Sequence, residues 1–380
     1  MSISPLELFN SLNKNGIKFF SGVPDSLLKQ FCFCIDDNIP KSRHIITANE
    51  GNAIAVAAGY HLATGGVPLV YMQNSGLGNS INPLLSLCDP EVYSIPMLLL
   101  IGWRGEPGVY DEPQHLKQGK VQLDLLNAMD IPYSLLSKDE KEIEKKITKC
   151  ILKAKEQSMP LAIIVSKGTF DNYKLERFKV EDSLLTREEA LSLILKHLPT
   201  DSIIVSTTGK TSREIYEIRE LNGESHHRDF LTVGSMGHSS SIALGIAISN
   251  PDRQIVCIDG DGSLIMHMGS LATIGEQSPE NFIHLLINNH AHDSVGGQTT
   301  SAKYINMQTL AKSNNYNNVR SSDEPDGIKN NLQILLSKKG PNFLEVVVKT
   351  GSRKDLGRPT TRPIDNKKEF MKILKKEQKI

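Results

Sequence analysis

The fold is decided by residues 255–289, which read IVCIDGDGSLIMHMGSLATIGEQSPENFIHLLINN. An apolar run at 255–258 leads into DGDG, and residues 264–276 carry apolar side chains at helical spacing. A second apolar run at 282–287 then ends in NN. This order predicts a parallel strand–helix–strand unit, whose crossover is almost always right-handed. Both polar endings therefore lie at the carboxyl edge of one sheet, where open α/β folds bind ligands.

Two oxygen-bearing side chains stand at these predicted strand ends. Asp261 offers a carboxylate and Asn289 an amide oxygen, and hard donors of this kind suit octahedral Mg²⁺ together with a diphosphate. Gly260 and Gly262 allow backbone N–H groups to approach phosphate oxygens closely. A lone GDG at a strand end is more often a simple turn. The combination of GDG with NN after the next strand is what favours a metal site.

Composition limits the classes of protein to which the chain could belong. Its 380 residues suit two domains, and its 43 basic and 43 acidic residues cancel, so no global field favours nucleic acid or an anionic membrane. No apolar run reaches the roughly 20 residues of a membrane span, and no secretory signal is recognised. The five cysteines form no paired CxxC motifs. We therefore expect reduced thiols and a cytoplasmic enzyme.

The alternation of strands and helices is repeated in the two halves of the chain. A strand at 161–165 ends the first half, and the capping box Thr186-x-x-Glu189 opens the second, followed by a strand at 202–206. This order predicts two similar three-layer α/β domains with mostly parallel sheets. We place the domains at 1–170 and 185–380, with a linker at 171–184.

GDG followed by NN at this spacing resembles the cofactor signature of the thiamine diphosphate enzymes. The resemblance implies the thiamine diphosphate-binding fold, with a pyrimidine-binding domain first and a diphosphate-binding domain second. It also implies thiamine diphosphate and Mg²⁺ as cofactors, with Asp261, Asn289 and the carbonyl of Ala291 as metal ligands. In this family each cofactor bridges two subunits, which implies an obligate homodimer or a larger homo-oligomer.

The resemblance further implies which residues contact the cofactor. Glu50 matches the glutamate that holds a proton against the pyrimidine ring, although a glutamate in a first helical turn more often meets the helix dipole. Met236 matches the large apolar residue that bends the cofactor, although a methionine is more often core packing. The other residues implied to border the cofactor are Asn74, Gly209, Thr211, Ser212, Gly237, His238, Gly260, Gly262 and Ser263.

Loop segments indicate which branch of the family is resembled. GVPDS, NSGLGN, RGEPGVYDEPQH, STTGKTSRE, NNHAHDSVGGQ and GSRKDLGRP together look like the phosphonopyruvate decarboxylases, with the sulfopyruvate decarboxylases as close relatives. The implied reaction converts the small 2-oxo acid 3-phosphonopyruvate to phosphonoacetaldehyde and CO₂, a step in phosphonate biosynthesis. A thiamine-dependent carboligase and a binding protein that has lost its chemistry are the alternatives.

Four residues are implied in proton transfer. Asp25 and His115 match an acid–base aspartate and histidine of related 2-oxo acid decarboxylases, although Asp25 could equally be a turn or cap residue. Pyruvate decarboxylases carry a glutamate soon after NN, at a position that falls near Val295 here. His292 and Asp293 are the nearby substitutes, so the proton donor is left open between them.

A phosphonate dianion requires local positive charge, because the net charge of the chain is zero. Arginine serves best, since its planar fork binds two oxygens at once. For each basic side chain in these loops, exposure to solvent is the alternative explanation. The basic residues in loops at predicted strand ends are Arg104, Lys117, Lys120, Arg353 and Arg358.

Overall fold

The computed structural model describes residues 2–174 and 184–376. The chain divides into two compact units, Met1–Lys179 and Val180–Ile380. Most of the predicted linker, 171–184, lies outside the described residues. The domain limits at 170 and 185 therefore stay a prediction.

Six parallel strands form the sheet of the first unit, in the order β2-β1-β3-β4-β6-β5. In chain order these strands are β1 (Phe20–Gly22), β2 (His44–Ile46), β3 (Leu69–Gln73), β4 (Leu98–Gly102), β5 (Tyr133–Leu136) and β6 (Leu161–Val165).

Helices cover both faces of this sheet. They are α1 (Pro5–Lys14), α2 (Lys29–Asn38), α3 (Glu50–Thr64), α4 (Leu77–Pro83), α5 (Pro113–Ala128) and α6 (Ile143–Gln157). One core contains buried residues of α1, α2 and α6, and the other contains those of α3, α4 and α5. Within β4, Leu98 belongs to the first core and Leu99 to the second. Strands buried on both faces explain the continuous apolar runs in the sequence.

The sheet of the second unit has the same topology. Its strands are β7 (Ile203–Ser206), β8 (Asp229–Leu231), β9 (Ile255–Gly260), β10 (Phe282–Asn288), β11 (Asn318–Ser322) and β12 (Asn342–Val347). All are parallel, in the order β11-β12-β10-β9-β7-β8. When strands are counted from one to six within each unit, both sheets read 2-1-3-4-6-5. The prediction of two similar three-layer α/β domains is confirmed.

The helices of the second unit include one departure from the prediction. They are α7 (Arg187–His197), α8 (Lys210–Leu221), α9 (Ser239–Ser249), α10 (Asp261–Met266), α11 (Ser270–Gln277), α12 (Met307–Ser313), α13 (Pro325–Leu336) and α14 (Pro363–Lys376). The predicted capping box at the start of α7 is present.

The single helix predicted over 264–276 was wrong. The segment forms α10 and α11, separated at 267–269, where His267 leaves the helical region (φ −132°, ψ 49°). Leu264 and Leu271 are both buried, one on each side of the break. Apolar spacing therefore continues across the interruption and conceals it. The break places the His267 ring beside Gly237, where an added Cβ would collide with its Nδ1 atom.

Two observations concern the chain as a whole. Within residues 2–174 and 184–376, no helix combines the length and the apolar character that crossing a membrane requires. All five cysteines are free thiols and are buried.

Candidate active site

Asp261 and Asn289 lie at the same edge of the second sheet. Strand β9 ends at Gly260 and Asp261 follows it, while Asn289 directly follows β10. The two strands are parallel neighbours, with Ile287 opposite Gly260. The carboxylate and the amide predicted at two strand ends therefore stand on adjacent strands, at the carboxyl edge. Ala291 forms an isolated bridge to Thr299 just beyond.

The Asp261 carboxylate is buried, with 3% of its residue surface exposed. Burial raises its pKa to about 7, although hydrogen bonds from the Thr300 hydroxyl and the Gly262 N–H oppose this shift. In the described part of the chain Asp261 has no salt-bridge partner. A desolvated carboxylate of this kind is costly unless a cation or further donors compensate it.

The two adjacent asparagines face different partners. Asn289 accepts a hydrogen bond from the Ala291 N–H at 3.1 Å and donates from Nδ2 to Asp293 Oδ2 at 2.8 Å. Asn288 instead donates from Nδ2 to Glu345 Oε1 at 2.9 Å. Asn288 also accepts from the His290 N–H at 3.1 Å, so both asparagines bond to the loop that carries Ala291, and Asn289 is the one whose amide donates to Asp293.

A narrow cradle formed by glycines borders Asp261. A Cβ added at Gly262 would come 3.1 Å from the His292 ring and 3.4 Å from Met236 Cε, so these side chains lie directly over the glycine. Gly237, with φ of 88°, donates from its N–H to Ser263 Oγ at 3.1 Å. The Ser263 oxygen thus accepts one hydrogen bond and keeps its own proton to donate. Burial lowers the pKa of His292 to about 4.

The loop after β7 presents a helix N-terminus at this edge. Gly209 precedes α8 with φ of 95°, and Thr211 and Ser212 lie in the first turn. The Ser212 hydroxyl donates to the Thr207 carbonyl at 2.6 Å, so its proton is used inside the unit. The backbone N–H groups of this turn are the donors available to an anion. His238, before α9, packs against His267 with ring centroids 4.3 Å apart and ring planes tilted by 37°.

In the first unit, Glu50 is the first residue of α3 and is buried. Asn49 caps the helix, accepting from the Asn52 N–H at 2.9 Å. Glu50 Oε2 accepts from Asn79 Nδ2 at 2.7 Å, and a Cβ added at Gly76 would come 2.5 Å from Glu50 Cγ. The capping function thus belongs to Asn49, and Glu50 is enclosed by the glycine-rich segment after β3.

Asp25, after β1, is fully buried. Its Oδ2 accepts from the N–H groups of Leu27 at 2.8 Å and Leu28 at 3.2 Å, and its Oδ1 has no hydrogen-bond partner among the described residues. Burial raises its pKa to about 6. A side chain at Gly102 would collide with Oδ2. A carboxyl with a pKa near neutrality and an unused oxygen suits general acid–base catalysis.

Asn74 and His115 occupy the same edge of the first unit. The Asn74 amide donates to the Arg104 carbonyl at 2.8 Å and accepts from the Arg104 N–H at 3.3 Å. Both of its polar groups therefore hold the ends of β3 and β4 together, which favours a structural role over cofactor contact. His115 lies in the first turn of α5, with Nε2 3.5 Å from Gln114 Nε2.

Comparisons with known proteins match both units. The N-terminal and C-terminal TPP binding domains of thiamine pyrophosphate enzymes match residues 7–127 and 207–346. A phosphonopyruvate decarboxylase of Streptomyces viridochromogenes is 33% identical over 97% of this chain and 94% of that protein. The chain belongs to the thiamine pyrophosphate enzymes.

Two further relatives within the thiamine pyrophosphate enzymes also match nearly the whole chain. A phosphonopyruvate decarboxylase of Streptomyces hygroscopicus is 34% identical over 97% of this chain and 93% of that protein. A sulfopyruvate decarboxylase of Methanosarcina acetivorans is 28% identical over 90% of each chain.

The second unit offers the donors that a thiamine pyrophosphate enzyme needs for its cofactor. The buried carboxylate of Asp261 pairs with no basic side chain among the described residues, and Asn289 directly follows the neighbouring strand. The space beside Gly262 is so narrow that a single added methyl group would fill it. Carboxylate and amide oxygens at a sheet edge, together with the N–H groups of the α8 N-terminus, fit a diphosphate bridged by a divalent cation.

A second group of potential ligands lies inside the sheet. Cys257, Asp259 and His284 place their ligand atoms within 4.8 Å of one another, and all are fully buried. His284 Nε2 is 3.6 Å from Asp259 Oδ2, and its Nδ1 is 3.0 Å from the Tyr316 hydroxyl. A set with sulfur and nitrogen donors does not suit Mg²⁺.

Two of the predicted phosphonate ligands are already paired within their own units. Arg104 donates to Asp111 from Nε at 2.7 Å and from Nη2 at 2.5 Å, and to Ser26 Oγ at 2.8 Å. Arg353 contacts three carboxylates, those of Glu188, Glu217 and Asp355. The remaining predicted ligands, all exposed, are Lys117, Lys120 and Arg358.

Sequence patterns did not reveal three buried residues at this edge, Arg187, Glu214 and Thr300. Arg187 bonds Glu214 through Nε at 2.6 Å and Nη2 at 2.8 Å, and Asp293 through Nη1 at 3.1 Å. Thr300 donates to Asp261. One signal was available: Arg187 occupies the apolar face of α7 with Leu191, four residues later and also buried. A charged residue in such a stripe requires a buried partner.

The raised pKa of Asp25 predicts a pH-dependent stability. The relevant pH window lies between the ordinary pKa of an aspartate, 3.8, and the pKa of Asp25 in the folded chain, about 6. In this window the folded chain holds the Asp25 proton more firmly than the unfolded chain. The free energy of unfolding therefore falls as pH rises through this window and stays lower above it. Asp25→Asn cannot ionise, so its free energy of unfolding should not fall in this window. Relative to the wild type, the variant should become more stable by about 3 kcal/mol between about pH 4 and about pH 7. Denaturant unfolding of both proteins across this range measures the difference, and a pH-independent difference would contradict it.

Proposed function

We propose that this chain is a carboxy-lyase that converts 3-phosphonopyruvate to phosphonoacetaldehyde and CO₂ with thiamine diphosphate and Mg²⁺. The observation that carries the proposal is the identity of 33–34% over 97% of the chain with two phosphonopyruvate decarboxylases, against 28% over 90% with a sulfopyruvate decarboxylase. Sulfopyruvate is accordingly the second candidate substrate. The five buried free thiols support a reducing, cytoplasmic location.

Each residue of the second unit has a distinct role in this proposal. Asp261, Asn289 and the carbonyl of Ala291 would hold Mg²⁺, and the Ser263 hydroxyl would donate to a phosphate oxygen. Met236 would support the cofactor beside Gly262, which it contacts closely. When bound, the cofactor supplies the electron sink that decarboxylation of a 2-oxo acid requires.

The first unit would supply the proton-transfer groups. Glu50 would hold a proton against the cofactor ring, and Asp25 would exchange protons with the substrate, since its free oxygen and its pKa of about 6 suit that task. Arg104 already pairs with Asp111, and Arg353 already pairs with three other carboxylates. Lys117 and Lys120, which are exposed, are therefore the better remaining candidates for the phosphonate.

A substrate comparison tests the proposal directly. Purified protein with thiamine diphosphate and Mg²⁺ should be given phosphonopyruvate, sulfopyruvate and pyruvate separately, with CO₂ and aldehyde measured for each. We expect the highest kcat/KM with phosphonopyruvate. CO₂ release must occur without any added aldehyde, because a carboligase would require an acceptor. Preference for sulfopyruvate would identify sulfopyruvate as the substrate in place of phosphonopyruvate. Binding of thiamine diphosphate without turnover of any of the three acids would contradict the assignment as an enzyme.

We further propose that the chain works as a homo-oligomer. Equivalent helices of the two units, α3 and α9, carry exposed glycines at 59 and 245 near exposed Leu62 and Ile248. A Cβ added at Gly59 or Gly245 would meet nothing within 4 Å. A helical glycine costs about 1 kcal/mol relative to alanine, and packing within the described chain does not explain it. Close approach of a second copy of this chain would explain why glycine occupies both positions.

Gly245→Leu is expected to disrupt this assembly. A leucine side chain would keep a neighbouring helix from approaching the α9 backbone, so sedimentation velocity should show a shift to the monomer. Glu156→Leu, on the exposed face of α6, is the matched control that adds the same side chain elsewhere. An unchanged sedimentation coefficient for Gly245→Leu, or the same shift for the control, would contradict the placement of the interface.

A further inference from the structure

We infer that Asp293 is a positioning residue that fixes the amide of Asn289 with its oxygen available to the metal. The inference depends on the Mg²⁺ site proposed above. It assigns Asp293 a role other than proton donation to the substrate.

The argument begins with the chemistry of an asparagine ligand. An asparagine amide carries one oxygen and one NH₂ group, and only the oxygen can bind a cation. Asn289 donates from Nδ2 to Asp293 Oδ2 at 2.8 Å and accepts from the Ala291 N–H at 3.1 Å. Turning the amide over would direct its oxygen at a carboxylate and its NH₂ at another N–H. Asp293 therefore selects one orientation.

Asp293 can do this because its own carboxylate is held in place. Arg187 Nη1 donates to Oδ2 at 3.1 Å, and the Gly351 N–H lies 3.2 Å from Oδ1 and 3.0 Å from Oδ2. The remaining Arg187 donors bind both oxygens of Glu214. The side chains of Arg187, Glu214 and Asp293 are 6%, 1% and 9% exposed.

The network connects separate parts of the second unit to one ligand. Arg187 begins α7, Glu214 lies in α8, and Gly351 follows β12. The oxygens of Asp293 already accept hydrogen bonds from Asn289, Arg187 and Gly351. A carboxylate with these contacts is well placed to orient a neighbour and poorly placed to give up a proton. Groups that orient a metal ligand in this way typically affect metal affinity about 10–100-fold.

Asp293→Ala tests the inference, because it removes the oxygen that accepts from Asn289 Nδ2. On the apo protein, thiamine diphosphate binding should be measured by calorimetry at increasing Mg²⁺ concentrations. We expect the Mg²⁺ concentration for half-maximal cofactor binding to rise about 10–100-fold, with binding at saturating Mg²⁺ close to wild type. Asp293→Asn should stay close to the wild-type midpoint, because its amide oxygen can still accept from Asn289. If Asp293→Ala does not fold, Asp293→Val, which also lacks an acceptor, decides.

Asp229→Ala is the matched control. Asp229 is also buried and paired with an arginine of the same unit, accepting from Arg219 Nε at 3.0 Å and Nη2 at 3.2 Å. It should lose stability without any shift in the Mg²⁺ midpoint. A wild-type midpoint for Asp293→Ala, or an equal shift in the control, would overturn the inference. Asp261→Ala is measured alongside, because an unchanged midpoint there would refute the metal site itself.

Discussion

Asp261→Ala is expected to weaken Mg²⁺-dependent binding of thiamine diphosphate by more than about 100-fold, because it removes a direct ligand and not merely a group that orients one. The carboxylate is the charged member of the proposed set and lies buried at the end of β9. Decarboxylation should fall in parallel, since the cofactor would no longer be retained at ordinary Mg²⁺ concentrations. Calorimetry with and without Mg²⁺ measures the effect.

The control for this prediction separates lost binding from lost folding. Asp261→Asn keeps the shape of the side chain and an oxygen that can accept from Thr300, the present donor to the carboxylate. Removing a buried charge that has no salt-bridge partner should not lower the stability of the apo protein. Asp261→Asn should therefore unfold at denaturant concentrations no lower than wild type while losing cofactor affinity. Cofactor binding by Asp261→Ala with normal Mg²⁺ dependence would remove the basis of the proposed site.

The placement of Asp261 and Asn289 could be predicted because it depends on local patterns. Two apolar runs joined by a helical segment indicate parallel neighbouring strands, and parallel strands end at the same edge. The same logic predicted two similar α/β units. Their common strand order emerges only from tertiary pairing, which no local pattern encodes.

The features that sequence reasoning missed depend on contacts between distant parts of the chain. Arg187 and Asp293 are separated by 106 positions, so nothing local connects them. The contacts of the Asn74 amide with the backbone of Arg104 likewise join residues 30 positions apart, and its proposed contact with the cofactor stays a prediction. The break at His267 was hidden because α10 and α11 bury residues in one continuous apolar pattern. In each case a tertiary contact decided what the local sequence left open.

Glu50→Gln is expected to reduce decarboxylation about 10²–10⁴-fold while leaving the fold and cofactor binding intact. Glutamine keeps the shape of the side chain and can still accept from Asn79, the present hydrogen-bond donor. It cannot hold a proton as a carboxyl group does. The loss should therefore appear in kcat, with a thiamine diphosphate affinity near wild type. Steady-state kinetics and calorimetry on the same preparation measure the two quantities.

Glu7→Gln tests the competing explanation that Glu50 only meets a helix dipole. Glu7 lies in the first turn of α1 and is exposed, so its substitution removes the same charge at an equivalent helical position. A dipole contribution is worth about 0.3–1 kcal/mol and should leave kcat unchanged. Asn49 already caps α3 through the Asn52 N–H, so Glu50 is not needed as the cap. If Glu50→Gln lowered stability by a similar amount and kept full activity, its role would be structural, and the proton-transfer assignment of Glu50 would fail.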